Sequence, residues 1–169
     1  MSPSTQRPVV GIVLGSDSDL PVMQEAAKVL DEFGVAHELR IASAHRSPAK
    51  TAAYTRTALR RGLRVLIAGA GGAAHLPGVL AAGTTLPVIG VPIDSSPLGG
   101  LDALLAIAQM PGGIPVGTMA IGRAGARNAA LFAVAILAVG DPALQRRLAA
   151  YRVRLAAEVD KKDRGLQKR

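Results

Sequence analysis

Five apolar runs rich in Val, Ile and Leu alternate along the chain with segments in which apolar residues recur at helical spacing. The runs cover residues 9–15, 36–42, 64–70, 86–92 and 115–121. Strands separated by a helix pair in parallel, because the helix carries the chain back to the end of the sheet where the previous strand began. The alternation therefore predicts an α/β fold with a central, mainly parallel sheet and helices on its faces.

Several helix ends are marked by residues with terminal preferences. Pro21 fits the first turn of a helix whose apolar spacing ends at Gly34. Ser47 and Pro48 form an N-cap and first-turn pair for a second helix, which we expect to run to Arg61. The remaining predicted helices cover residues 75–83, 101–110, 124–140 and 142 onward.

The last two predicted helices carry more apolar surface than one sheet can cover. We expect the helix at 124–140 to be buried on most sides, because it is apolar nearly all round. The final helix begins at Asp141 and Pro142. Its apolar stripe consists of Leu144, Leu148, Tyr151, Leu155 and Val159. We expect this stripe to pack on a neighbouring subunit of a homo-oligomer and the chain beyond it to be frayed.

The formal charge of +8 is concentrated late in the sequence, where residues 146–169 hold nine Lys or Arg and three acidic residues. A nucleic-acid surface combines basic and aromatic residues, and Tyr151 is the one aromatic residue in this segment. No apolar run reaches the roughly 20 residues of a membrane span. The chain lacks Cys, which excludes disulfides, thiolate metal sites and cysteine nucleophiles. We therefore expect a cytoplasmic protein that binds neither nucleic acid nor membrane.

At 169 residues the chain has the length of one domain, and no linker or internal repeat divides it. We expect residues 1–169 to form a single domain. Its core is predicted at about 8–140, followed by a helix and basic tail at 141–169.

The first three predicted strands end in "GSDSD", "SAHRS" and "GAGGAAH". Because the carboxyl ends of parallel strands lie along one edge of the sheet, we expect these loops to converge on a ligand. Gly15 and Ser16 could present amides and a hydroxyl to an anion, and Arg46 adds a permanent positive charge. Asp17 and Asp19 would repel phosphate and are better suited to accept hydrogen bonds from hydroxyl groups. Together these residues indicate a site for a ribose phosphate.

His45 is the candidate general acid and base, because imidazole gains and loses a proton near neutral pH. A loop histidine satisfied by the backbone is the competing interpretation, and the neighbouring Ser43 and Arg46 favour a functional one. His75 in the third loop could orient a neighbour or cap a helix. We interpret His37, which alternates with its neighbours in a strand, as structural.

The glycine-rich third loop has three interpretations. Gly69, Gly71 and Ala74 match a GxGxxA dinucleotide fingerprint, but on the third strand and without the acid expected about 20 residues later. A tight turn that lets helix and strand pack is the second. We favour a compact, water-poor pocket in which backbone amides approach a small planar ring or carbon dioxide.

No metal site or familiar nucleophile is predicted. The three His residues are dispersed, without paired ligand spacing. The chain also lacks a Walker sequence and a GxSxG elbow. These residue types favour proton transfer on a bound phosphorylated, nucleoside-like molecule.

Four motifs, "GSDSDLPVM", "SAHRSP", "AGAGGAAHLPG" and "QMPGGIPVGTMAIG", resemble the catalytic subunits of phosphoribosylaminoimidazole carboxylase, the bacterial N5-carboxyaminoimidazole ribonucleotide mutase family. The resemblance covers about residues 8–140. It implies a flavodoxin-like three-layer α/β/α sandwich with a central parallel sheet, assembled as a homo-octamer. It further implies a cytoplasmic isomerase of purine (IMP) biosynthesis that needs neither metal nor organic cofactor.

The resemblance also implies a reaction, in which a carboxyl group moves from the exocyclic nitrogen to carbon 4 of an aminoimidazole ribonucleotide. Decarboxylation, capture of the carbon dioxide by carbon 4 and removal of the carbon 4 proton follow in turn. His45 corresponds to the catalytic histidine, which would shuttle the proton. The substrate-binding or supporting positions that the motifs imply are Ser16, Asp19, Ser43, Arg46, Gly71 and His75.

Two alternatives remain. A second branch of the family carboxylates aminoimidazole ribonucleotide directly with carbon dioxide, and it differs in the third loop. "AGAGGAAHLPG" is the mutase version of that loop, which favours the mutase. The other alternative is a non-enzymatic or redox nucleotide-binding domain of flavodoxin-like shape.

Overall fold

A computed structural model describes residues 7–167. Its centre is a five-stranded parallel sheet with the order β2-β1-β3-β4-β5. The strands are β1 (Val10–Leu14), β2 (His37–Ile41), β3 (Val65–Gly71), β4 (Val88–Ile93) and β5 (Gly117–Thr118). This order is that of flavodoxin-like doubly wound sheets. The predicted α/β sandwich with its parallel sheet is therefore confirmed.

Six α-helices connect and flank the strands. They are α1 (Leu20–Glu32), α2 (Pro48–Ala58), α3 (Leu76–Ala82), α4 (Leu101–Ala108), α5 (Gly122–Ala138) and α6 (Pro142–Leu166). A short 3-10 turn at Asp17–Asp19 precedes α1. The predicted C-terminal helix is present. No helix within residues 7–167 is both long and apolar enough to cross a membrane.

Alternating side chains of the strands divide the core into two apolar clusters. Val10, Ile12 and Leu14 of β1 face α1 and α5, and the buried part of α6 joins the same cluster. Val13 of β1 faces the opposite side, where α2, α3 and α4 pack. Since strand residues alternate between faces, this arrangement produces the three layers of the sandwich.

The fifth strand is much shorter than predicted. The apolar pattern suggested residues 115–121, whereas β5 contains two residues, which pair with Ile89 and Gly90 of β4. Pro115 has no backbone N–H for the ladder, and α5 already begins at Gly122. The second helix is also three residues shorter than predicted, because a turn at 59–62 carries the chain from Ala58 to β3.

The last two helices differ from the expectations in detail. The Ala-rich face of α5 packs against α1 and the sheet, and most residues of the helix are buried or half-buried, although Phe132 is 45% exposed. In α6 the first three residues of the predicted stripe are buried within this chain, whereas Leu155 is 43% and Val159 65% exposed. The helix also continues beyond the stripe to Leu166.

Candidate functional site

The carboxyl ends of β1, β2, β3 and β4 lie along one edge of the sheet, and the loops that follow them line an open cavity of about 380 Å³. Six of the seven predicted site residues line it: Ser16, Asp19, Ser43, His45, Arg46 and Gly71. The seventh, His75, does not line the cavity but is hydrogen-bonded to His45, which does. The predicted convergence of the first three loops is therefore present.

Two polar side chains of the first loop, those of Ser16 and Asp19, make hydrogen bonds within the loop itself. Ser16 is the N-cap of the 3-10 turn, where its hydroxyl accepts a hydrogen bond from the N–H of Ser18. The Asp19 carboxylate completes a capping box by accepting from the N–H of Ser16 at 3.2 Å. Each carboxylate oxygen has two lone pairs, so Asp19 can still accept hydrogen bonds from a ligand.

Asp19 is a buried acidic side chain, only 6% exposed. Burial raises its pKa above the ordinary value of 3.8. Hydrogen bonds from the first loop and the charge of Arg46 oppose that rise without cancelling it. The site thus holds a carboxylate whose charge is incompletely compensated.

The second loop is held by hydrogen bonds around Ser43. The Ser43 N–H donates to the hydroxyl of Ser47 at 3.0 Å, and the hydroxyls of Ser47 and Thr51 donate back to the Ser43 carbonyl. Ser47 occupies the predicted N-cap position of α2, but its hydroxyl makes these bonds and does not cap the helix. Ser43 in turn accepts from the N–H of Arg46 at 3.1 Å. This network fixes the direction in which the loop presents its side chains.

Arg46 bridges the first two loops. Its Nη2 donates to the carbonyl of Gly15 at 2.9 Å, and none of the ion pairs among residues 7–167 includes its guanidinium. A second hollow of about 430 Å³ lies beside Arg46, and its lining includes Lys50 and one carboxylate, that of Asp17. These two cations make this end of the site suitable for an anion.

His45, which lines the cavity, forms a hydrogen-bonded pair with His75. Nε2 of His45 lies 2.8 Å from Nδ1 of His75, and the rings meet edge to face at 81°. One nitrogen donates the shared proton and the other accepts it. His75 also stands at the start of α3, but its side chain does not cap that helix. The pair therefore links the second loop to the third.

His37 lies away from this pair. Its Nδ1 is 3.1 Å from the carbonyl of Val35, and its ring is half-buried in β2. This contact agrees with the structural role predicted for it.

Gly71 is required by the close approach of two loops. A Cβ atom at this position would overlap the hydroxyl oxygen of Ser95 and lie 3.1 Å from the carbonyl of Ile93. The next residue, Gly72, has a φ of +57°, in the left-handed region that favours glycine. The third loop thus lies directly against the loop that follows β4.

Ser95 is a cavity-lining residue that the sequence prediction missed. It lies two residues beyond the end of β4, so a fourth loop contributes to the site. The signal was available, because "DSS" follows a buried apolar run just as "GSDSD" does. Since β4 is parallel to the other strands, its polar end belongs to the same edge.

Comparison with known proteins shows the family to which this chain belongs. A sequence profile of AIR carboxylase matches residues 9–158. An N5-carboxyaminoimidazole ribonucleotide mutase of Pyrococcus horikoshii is 53% identical over 99% of this chain and 93% of its own length. A mutase of the same name from Pyrococcus abyssi is 61% identical over 86% of this chain and 82% of its own.

Similarity extends to a solved structure. The crystal structure of Treponema denticola PurE has a TM-score of 0.84 to this chain at 28% identity, covering 95% of this chain and 99% of that one. The family profile and the relatives span most of the sequence, including all four loops of the cavity. This chain therefore belongs to the AIR carboxylase family.

Proposed function

We propose that the protein is an N5-carboxyaminoimidazole ribonucleotide mutase, an isomerase of purine biosynthesis. It would convert N5-carboxyaminoimidazole ribonucleotide into 4-carboxyaminoimidazole ribonucleotide. The observation that carries the proposal is one cavity lined by His45, a buried carboxylate and an arginine, with His75 hydrogen-bonded to His45. The relatives described above, which bear the mutase name, support it.

The ribose phosphate would occupy the end of the site formed by the loops of β1 and β2. Arg46 supplies charge to the phosphate, and the hydroxyls of Ser16 and Ser43 supply hydrogen bonds. Asp19 has free lone pairs for the ribose hydroxyls. With the phosphate at this end, the imidazole extends toward the loops of β3 and β4.

His45 would then act on the imidazole, because its ring reaches from the second loop to His75 of the third. Breaking the bond between the exocyclic nitrogen and the carboxyl carbon releases carbon dioxide, and the nitrogen needs a proton, which His45 supplies. Carbon 4 then attacks the carbon dioxide, and its proton returns to His45. The proton given in the first half is recovered in the second, so the reaction consumes no acid or base.

The third loop would confine the carbon dioxide between the two halves of the reaction. Gly71 brings the backbone against the fourth loop, and Ala70 and Leu76 add apolar walls. An enclosed intermediate reacts far faster than one that diffuses away, because its recapture is effectively intramolecular. His75 would hold the ring of His45 in place and offer a second position for the proton.

The remaining parts of the proposal concern the whole molecule. We propose a single catalytic domain, with its core at about residues 8–140, that works in the cytoplasm as a homo-octamer without metal or organic cofactor. The exposed apolar residues Phe132, Leu155 and Val159 support association with further copies. No group of three His, Asp or Glu side chains within residues 7–167 is arranged to hold a metal ion.

The test is turnover of N5-carboxyaminoimidazole ribonucleotide in the presence of a chelator, without ATP or added bicarbonate. Rapid formation of the 4-carboxy product supports the mutase. Product formed only from aminoimidazole ribonucleotide and concentrated bicarbonate would replace it with the direct carboxylase. A purified protein that retains a coloured cofactor and gives no turnover would favour the nucleotide-binding alternative.

Association is tested by replacing exposed residues of α6. Leu155→Glu with Val159→Glu introduces two charges on a face that has no partner within this chain. We expect the mass measured by light scattering to fall while the circular dichroism of the subunit is retained. An unchanged mass would contradict a role for this face in assembly. Truncation before Asp141 is a poorer test, because it also removes Leu144 and Leu148 from the core.

A further inference from the structure

Ser95 stands on the wall of the cavity opposite the arginine. The strand order places the loop of β2, with Arg46, three strand positions from the loop of β4, with Ser95. At about 4.8 Å per strand the two loops are separated by about 14 Å. If the phosphate lies at Arg46, as the proposed function requires, the far end of the nucleotide lies near Ser95.

The hydroxyl of Ser95 has no partner of its own. No hydrogen bond within residues 7–167 involves the Ser95 side chain. Its oxygen lies against Gly71, at the position where a Cβ would otherwise stand. The hydroxyl therefore keeps a donor and two acceptor lone pairs available at the cavity wall.

The adjacent serine differs. Ser96 donates to Asp102 at 2.8 Å and accepts from the N–H of Leu98 at 3.3 Å. Gly99 closes the turn by donating its N–H to the carbonyl of Ser96 at 3.0 Å. Ser96 thus anchors the loop, which leaves Ser95 held on a fixed backbone.

Glycine also fixes the base of this loop. Gly100 has a φ of +86°, and a Cβ there would lie 2.8 Å from Ile121 and 3.2 Å from the Cα of Asp94. A residue with a side chain could not adopt this conformation without moving its neighbours. A hydroxyl on so constrained a loop is suited to binding, because little freedom is lost when it forms a hydrogen bond.

We propose that Ser95 is a substrate-binding residue, whose hydroxyl donates a hydrogen bond to the carboxyl group on carbon 4 of the imidazole. This inference rests on the proposed function. His45 lies on the other side of the same cavity, so the carbon that gains the carboxyl group would sit between the proton carrier and Ser95. Ser95 would thereby orient the captured carboxyl group after the new carbon–carbon bond forms.

The experiment compares two nucleotides that differ only in the carboxyl group. Binding of 4-carboxyaminoimidazole ribonucleotide and of aminoimidazole ribonucleotide to the full chain is measured by calorimetry, for the wild type and for Ser95→Ala. We expect the Kd of the carboxylated nucleotide to rise by about tenfold to a hundredfold, the usual effect of losing a hydrogen bond to a charged group. The Kd of aminoimidazole ribonucleotide should change by less than about threefold.

Ser96→Ala is the matched control. It removes the same hydroxyl one residue along, from a side chain that does not line the cavity. Because it loosens the loop that holds Ser95, we expect it to lower the melting temperature and to raise the Kd of the carboxylated nucleotide less than Ser95→Ala does. Ser95 is exposed and packs in no cluster, so its replacement by Ala should leave the melting temperature unchanged. Ser95→Cys, a near-isosteric and weaker donor, should fall between the wild type and Ser95→Ala.

Three results would overturn the proposal. If Ser95→Ala raised the Kd of both nucleotides equally, Ser95 would only shape the loop. If it changed neither Kd, the Ser95 hydroxyl would make no contact with the substrate. A wild-type chain that binds neither nucleotide would overturn the proposed function itself, and the inference with it. The first two results leave the mutase assignment standing.

Discussion

Two carboxylates of this molecule, the buried Asp19 and the half-buried Glu38, have pKa values shifted in opposite directions. Asp19, at the cavity, is 6% exposed and has a raised pKa, whereas the Glu38 side chain, in β2, is 12% exposed and has a lowered pKa. Burial raises both pKa values and is the largest influence in each case. At Glu38, however, the hydrogen bond from Arg61 and the charges of Arg61 and Arg40 outweigh it.

The difference lies in the geometry of the nearest cation. Arg61 makes a direct ion pair with Glu38, and its guanidinium lies over the ring of Tyr54 at 4.5 Å. Arg46 donates to a backbone carbonyl instead of to Asp19. In the Glu38 cluster, formed by Glu38, Arg40, Tyr54 and Arg61, the two arginines compensate the carboxylate, while the Tyr54 hydroxyl and Nη2 of Arg61 have no hydrogen-bond partner within the described part of the chain. At the cavity, the charge of Asp19 is only partly compensated, so its oxygens can still accept hydrogen bonds from a ligand. A binding site needs such groups, and they lower the stability of the fold.

The largest effect should come from the proton carrier. His45→Asn removes the group that gives and takes the proton, so we expect kcat to fall by about a thousandfold. The Kd of the product, measured by calorimetry, should change by less than about threefold, because the phosphate and ribose contacts remain. His37→Asn is the control at a histidine outside the cavity, and its kcat should stay near that of the wild type. Full activity of His45→Asn would contradict the mechanism.

Replacing Arg61 should mainly lower stability, whereas replacing Arg46 should mainly weaken nucleotide binding. Arg61→Ala removes one of the two arginines that pair with the half-buried Glu38, and we expect the free energy of unfolding in urea to fall by about 2 kcal/mol, with KM little changed. Arg46→Ala should raise the Kd of the nucleotide by about tenfold or more and change stability by less than about 0.5 kcal/mol. If the two variants changed stability and affinity by the same amounts, the Glu38 cluster and the cavity could not be distinguished as a stabilising region and a binding region.

The sequence predicted the sheet and the first three loops because both depend on local patterns. Buried strands between helices are continuous apolar runs, and the polar residues that end them are placed at one edge by the parallel topology. The Glu38 cluster gave no such signal. Glu38, Tyr54 and Arg61 belong to a strand, a helix and a turn, and their meeting depends on how α2 packs on the sheet.

The errors have identifiable physical causes. β5 is shorter than the apolar run at 115–121 because only Gly117 and Thr118 pair with β4, and an apolar run does not show which residues pair. The stripe of α6 was predicted to form one surface, but only its part up to Tyr151 is buried within this chain. Leu155 and Val159, which follow, are exposed. The roles of the individual site residues remain predictions, since they depend on the ligand.

The smallest expected effect is the dependence of stability on pH, which should have opposite signs for the two carboxylates. The folded state holds the Asp19 proton more tightly than the unfolded state does. The contribution of Asp19 to stability is therefore complete below its unfolded pKa of 3.8 and is lost as pH rises through the higher folded value. For Glu38 the contribution is present above the unfolded pKa of 4.5 and is lost as pH falls through the lower folded value.

Urea unfolding between about pH 3 and 7, the span that brackets ordinary carboxyl titration, measures both contributions. With rising pH, the stability of the wild type relative to Asp19→Asn should decrease, whereas its stability relative to Glu38→Gln should increase. The two differences should therefore change in opposite directions over the same samples. If both instead rose with pH, Asp19 would be as well compensated as Glu38. The Asp19 oxygens would then already be satisfied within the protein. The proposal that Asp19 accepts hydrogen bonds from the ribose hydroxyls would lose its physical basis.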